Sequence, residues 1–318
     1  MTLNKSASLT ALRRWAKRLA ILIGVLLGMA VLMYALQGFD TNASNERNTD
    51  MNSQSTPPEL TIWMGMQGID MVRAHGGKED KQPAGALFHT VRWSKPPFGT
   101  LTLRNDQYSF SLPTVLYILS FTDNLFADGG VDTFDITAGV SPEEFVSHAE
   151  AHRSVFAFID SLLAKGWVPY LDPAGAMLRG PDALRYHMEE RGWLTDARVR
   201  PSFEQWMKAD SSTPLNTYLY ANGVVLDITI RRDNDKMELT KPGQYVLSLA
   251  IKSAVGEMRT YVGAGNFSRE KAPTWTQYWP AKLKELEAIK VQETAKLQAK
   301  GYKVDTRYQH PDWSMYLK

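Results

Sequence analysis

Past residue 58 the chain alternates short apolar runs with turn-forming clusters, the pattern of a sheet-rich domain. LTIWMGM at 60–66, LFHTVRW at 87–93, TLTLR at 100–104 and TVLYILSF at 114–121 read as strands. The stretches around His75, Gly76, Gly77, Lys78, Glu79 and Asp80, and around Lys95, Pro96 and Pro97, read as loops. In VDTFDITA, at 131–138, strict alternation sets Phe134 and Ile136 on one face and Thr133, Asp135 and Thr137 on the other. TYLYANGVVLDITIRRD at 217–233 predicts a hairpin turning at Asn222 and Gly223. Its second arm directs Val224, Leu226, Ile228 and Ile230 to a buried face, and Val225, Asp227, Thr229 and Arg231 to a wet one.

The helical period appears where capping residues also appear. Ser141, Pro142, Glu143 and Glu144 carry the residue types of a capping box, predicting a helix from there to Lys165 with Gly166 as terminator. WVPYL at 167–171 then predicts a strand. The same grammar returns downstream: a strand over 245–254, a long charged helix over 281–300 that ends at Gly301, and a strand over 302–308. AKGW at 164–167 is echoed by AKGY at 299–302, which predicts a duplicated unit over 100–180 and 240–310. Short helices are expected at 182–193 and 202–210. The fold class predicted for 59–318 is α+β.

Upstream, 19–36 reads LAILIGVLLGMAVLMYAL, without a charge. At 1.5 Å per residue it spans about 27 Å, enough to cross a bilayer core. Arg13, Arg14, Lys17 and Arg18 precede it and polar residues follow it. The positive-inside rule therefore puts 1–18 in the cytoplasm and everything after 37 outside, with 37–58 a flexible tether. A cleaved signal peptide is the competing reading. It fits less well, because the apolar region is long and its exit lacks a small-x-small site. The expected location is a bacterial inner membrane, single-pass, with the lipid bilayer as partner through 19–36 and the C-terminal domain in the periplasm.

Charge changes the picture once it is located. The chain has 36 basic and 34 acidic residues. Five of the basic residues precede position 37 with no acid among them, so the other 282 residues carry 31 basic against 34 acidic groups. A slightly acidic domain without a Lys/Arg stripe excludes nucleic acid as the main partner. There is no cysteine, which removes disulfides, thiolate catalysis and Cys-ligated metals.

Candidate chemistry is sparse. His148 and His152 stand four apart with Glu150 between, a spacing that raises the question of zinc. On a helical wheel both fall inside the apolar stripe and Glu150 falls on the opposite side, where it cannot serve a metal-bound water. The expectation is two core-edge imidazoles, each bonded to a backbone carbonyl or a neighbouring strand. Asp123, Asp128, Asp132 and Asp135 surround a Gly129–Gly130 turn, where they could hold Ca²⁺, receive a basic partner surface, or serve turn chemistry. The loop 263–268 (GAGNFS) departs from a dinucleotide fingerprint at its third glycine. Trp275, Tyr278 and Trp279 form a candidate interface cluster, with core packing as the alternative. No catalytic residue and no cofactor is expected.

GGVDTFDITAGVSPEEF, LLAKGWVPYLDP and YLYANGVVLDITIRR together resemble a set of uncharacterised single-pass proteins of Gram-negative bacteria, some of them similar to immunity proteins that neutralise envelope toxins. The resemblance covers about residues 100–235. It implies protein–protein inhibition in the periplasm and transfers no catalytic residues. The leading expectation is a membrane-anchored protein-binding module. The alternatives are a metal-assisted hydrolase using His148 and His152, or a receptor for a small envelope ligand.

Overall fold

The computed structural model describes residues 56–317, apart from 84, 191, 193–194, 210–211 and 264–270. The basic N-terminus, the apolar span 19–36, nearly all of the tether and most of the 263–268 loop lie outside the described residues. Among the described residues no helix is long and apolar enough to cross a membrane.

The architecture is α+β, built on one ten-stranded mixed sheet. The strands are β1 (Glu59–Ile62), β2 (Lys78–Lys81), β3 (Ala86–Arg92), β4 (Gly99–Leu103), β5 (Phe110–Asp123), β6 (Thr133–Gly139), β7 (Val168–Pro169), β8 (Leu215–Ala221), β9 (Val224–Arg232) and β10 (Tyr245–Ser253). Their order is β1-β4-β5-β6-β10-β9-β8-β7, with β3 also on β5 and β2 outside β3. Among these strands only β1 on β4 is parallel. The helices are α1 (Gly68–His75), α2 (His148–Ala164), α3 (Pro181–Glu190), α4 (Phe203–Lys208), α5 (Ala254–Val262) and α6 (Trp279–Ala299).

The predicted hairpin forms as read: Asn222 and Gly223 take φ of 44° and 76°, and Ala221 pairs with Val224. Positive φ at both central residues gives the twist that matches the flanking strands. The β6 alternation also holds, with Phe134 and Ile136 buried. These residues, with Ile118, Leu226, Ile228, Leu249 and Ile251, form one core with Val155, Phe156, Ile159 and Leu162 of α2.

The other face departs from the reading of a wet surface. Val225 and Thr229 are buried, and Val225 belongs to a second core with Ala254, Met258, Trp275, Trp279, Leu286 and Trp313. Helices α5 and α6 and the C-terminal segment therefore cover the β8–β9 end of that face, and the domain has three layers there. Beyond β10 the chain turns helical at once, as α5. Ser253 ends β10 and caps α5, its side chain accepting from the Gly256 N–H at 3.0 Å.

The α2 start is a second correction. Ser141 and Glu143 bond each other locally: the Glu143 N–H donates to Ser141 Oγ at 3.1 Å, and that hydroxyl donates to the Glu143 carboxylate. Val146 is held extended by reciprocal backbone bonds with Gly243, so no helix can pass through it. The helix opens at His148 behind Ser147, which accepts from the Glu150 N–H at 3.2 Å, and Phe145 is left exposed. Ser147→Ala is expected to lower stability by about 1 kcal/mol, while Ser141→Ala stays within a few tenths. Urea midpoints check this; the reverse order would place the cap at 141.

AKGW and AKGY share a local cause. Gly166 and Gly301 take φ of 92° and 84°, and each following aromatic returns its N–H five residues back, Trp167 to Leu162 and Tyr302 to Leu297. These are helix-ending motifs whose aromatic residue is buried. Beyond the two motifs the chain diverges: Val168 and Pro169 pair with β8, whereas 302–308 makes a single bridge, Val304 to Leu178, instead of the expected strand. β2, with all four residues exposed and charged, is an edge strand within a stretch read as loop.

Candidate functional site

Strand register writes the site. On the face partly covered by α5 and α6, three rows of side chains cross the sheet from β3 to β8. The first is Phe88, Phe121, Thr133, Lys252, Val225 and Tyr220. The second is Thr90, Leu119, Asp135, Ala250, Asp227 and Tyr218. The third is Arg92, Tyr117, Thr137, Ser248, Thr229 and Asn216.

The rows close at β8 under the second core and open toward β3. Phe88, Leu119, Phe121, Tyr117, Thr137, Ser248 and Ala250 are half-buried, and Asp135 is exposed. Phe88 and Phe121 pack at 5.4 Å between centroids, and the Arg92 guanidinium lies 5.2 Å from the Tyr117 ring centre. An apolar and aromatic strip on β3 and β5 thus borders a polar strip on β6, β10 and β9.

The polar strip is nearly symmetric about β10. β6 and β9 both contribute Asp-Ile-Thr, as Asp135-Ile136-Thr137 and Asp227-Ile228-Thr229, and both run antiparallel to β10. Asp135 and Asp227 therefore flank Ala250, and Thr137 and Thr229 flank Ser248. Among the described residues neither aspartate has an ion-pair partner within 4 Å, whereas Lys252 is engaged by Glu257 of α5 at 3.3 Å. The bulk of protein around the floor of this face pushes both carboxyls up, Asp227 to about 7, against the opposing pull of Lys252. Burial alone would lower the Lys252 ammonium, but Glu257, Asp227 and Asp135 together raise it. Asn216, 7% exposed, donates from Nδ2 to Asp227 Oδ1 at 3.0 Å and to Thr229 Oγ1 at 2.8 Å.

The histidines sit elsewhere. His148 is buried, its Nε2 lies 3.1 Å from the Glu238 carbonyl and its Nδ1 meets the Tyr245 hydroxyl. A carbonyl only accepts, so Nε2 carries a proton, and the Tyr245 hydroxyl engages the other ring nitrogen. His152 donates from Nε2 to the Pro201 carbonyl at 3.0 Å and packs against Phe156 and Trp206. Both bond to the kinds of partner expected, carbonyls and a neighbouring strand, and both ring nitrogens of His148 are engaged. Among the described residues no group of three or more His, Asp or Glu is placed to hold a metal ion.

The acidic run separates only in part, since Asp123 and Asp132 both act on Arg259. Asp123 accepts from the Leu125 N–H at 2.9 Å, as in an Asx turn, and Asp132 pairs with Arg259 of α5 at 3.0 Å. Of the four, Asp135 stands in the second row of the open face and Asp123, paired with Ala86, one row beyond Phe121 on the same face, and the Asp128 side chain lies outside the described residues. Trp275 and Trp279 pack in the second core, Trp279 stacking on Trp313 at 5.9 Å, and Tyr278 is exposed. Sequence reasoning missed the pairing of Asp135 with Asp227 and Ala250; the repeated Asp-Ile-Thr was the available signal.

A depression of about 350 Å³ lies at the Asn222 end of the sheet, lined by Trp63, Arg104, Asp106, Asn222, Ser253 and Tyr316 among others. Arg104 stacks over Trp63 at 4.2 Å. Comparison with family models, with curated proteins and with solved structures finds no match to this chain.

Proposed function

We propose that the protein is a membrane-anchored periplasmic protein-binding module, an immunity-type inhibitor that receives an envelope-acting toxin on the open face of its sheet. The observation that carries this reading is the half-buried face itself, an aromatic strip beside a polar one that carries Asp135, Asp227 and Lys252. Soluble domains bury such apolar rows unless a partner covers them. Four strands at ~4.8 Å and three rows at ~6.8 Å make an open patch of about 19 by 20 Å. That is about half of the ~800 Å² each partner contributes to a standard interface, before its rim is counted. An apolar centre with charges around it is the usual anatomy of such a surface.

The test is affinity purification of the full chain from its own membranes. A stoichiometric protein should accompany the parent and be lost when Leu119 and Phe121 are both changed to serine. No such protein, together with turnover by the chain, would overturn the reading. A second reading, a receptor for a small envelope ligand, is favoured by the depression beside Arg104. It predicts that Arg104→Ala abolishes a thermal shift produced by one compound class and leaves the protein partner bound.

A further inference from the structure

Resting on the small-ligand reading, we infer that the depression at the Asn222 end of the sheet binds a free α-amino acid with an apolar side chain, its carboxylate on Arg104 and its ammonium on Asp106. At about 350 Å³ the space stands at the small end of the ~300–1,000 Å³ range of ligand pockets, and so suits one residue better than a chain. Its floor is tied down. Asn105, 9% exposed, donates from Nδ2 to the Ala221 carbonyl at 3.2 Å, and Asn222 donates from Nδ2 to Asn105 Oδ1 at 3.1 Å and to Asp106 Oδ2 at 3.0 Å. The end of β4 is thereby locked to the tip of the β8–β9 hairpin, and the site is preorganised.

Two charges of opposite sign line this space without an ion pair to satisfy either. Among the described residues neither Arg104 nor Asp106 has a partner of opposite charge within 4 Å. The Arg104 guanidinium lies 4.2 Å from the Trp63 ring centre, a contact that uses its face and leaves the N–H edge to a carboxylate. Asp106 has Oδ2 engaged by Asn222 and Oδ1 open. Two residues apart, the pair have α-carbons within ~7 Å, a spacing that suits an ammonium and a carboxylate on one carbon. Each charge also rejects the wrong ligand: a dianion would meet Asp106, and a simple amine would meet Arg104. At the start of α5 the Ala254 N–H donates to the Gly223 carbonyl at 2.7 Å and the Gly256 N–H to Ser253 Oγ, while the Val255 N–H between them donates to no described residue. It is a further donor for the carboxylate. Trp63, Met64, Val224 and Tyr316 complete the lining, which is why the side chain is apolar.

Isothermal titration calorimetry on the full chain in detergent tests this with the twenty standard amino acids, each alone. At least one with an apolar side chain should bind, and its amide, which lacks the carboxylate, and its N-acetyl form, which lacks the ammonium, should each bind about tenfold or more weakly. Arg104→Ala should weaken the amino acid by a similar factor. Asp106→Asn keeps an acceptor for Asn222 and tolerates the φ of 48°, and both positions are exposed, so the fold should stand. That variant should lose affinity for the amino acid and keep it for the N-acetyl form, closing the gap between them. Binding by none of the twenty, or a preference over the N-acetyl form that survives Asp106→Asn, would overturn the inference. Another compound class whose binding depends on Arg104 would leave the small-ligand reading standing and remove the amino acid. No Arg104-dependent ligand of any class would remove both.

Discussion

Asp227→Asn is expected to remove about 2–3 kcal/mol of the stability difference between pH 5 and pH 8. Burial raises the folded carboxyl to about 7, with Lys252, Thr229 and Asn216 opposing it. Unfolded, an aspartate titrates near 3.9. Below about pH 4 both states hold the proton, and the contribution is fully present. From there to about 7 the unfolded chain releases the proton and the folded chain keeps it, so stability falls by about 1.4 kcal/mol per pH unit, then levels off. Asparagine never ionises, so the variant should exceed the parent at pH 8, less what is lost at Asn216. Asp135 and Asp132, also raised, leave a residual slope of the same sign. Urea unfolding of the full chain in detergent at the two pH values measures this, and an undiminished slope would place the titration elsewhere.

Trp206→Ala should cost about 3–5 kcal/mol. The indole is fully buried on the opposite side of the sheet, stacked on Tyr245 at 5.5 Å, edge-on to His152 at 5.3 Å and beneath the Arg232 guanidinium at 4.8 Å. Tyr245 in turn bonds His148, so the one side chain seats α4, α2 and β10 together. Phe203→Ala on the same helix, at an exposed position, should cost under about 1 kcal/mol. Equal losses would mean that α4 contributes burial in general and no particular anchor.

How much of the fold was legible in the sequence depends on the range of each interaction. The Asn222–Gly223 turn, the β6 alternation and the two glycine-ended helices depend on residues within about six positions, and all were readable. The start of α2 was misplaced because Gly243, nearly a hundred positions away, holds Val146 extended. β2 was missed because an exposed Lys-Glu-Asp-Lys run has no strand preference of its own and pairs only because β3 offers an edge. The site was harder still. Asp135, Asp227 and Ala250 meet only after three strands find their register, and a shift of one residue would turn each to the other face. Periodicity put Asp227 on a wet face, yet could not say that α5 and α6 would cover half of that face and leave the rest open.

The most direct measurement is photo-crosslinking in living membranes, with a benzophenone amino acid in place of Leu119. An open docking face predicts one discrete protein adduct at position 119, absent when the same group replaces Val291 on the exposed side of α6. No adduct at 119, or the same adducts at both positions, would contradict it.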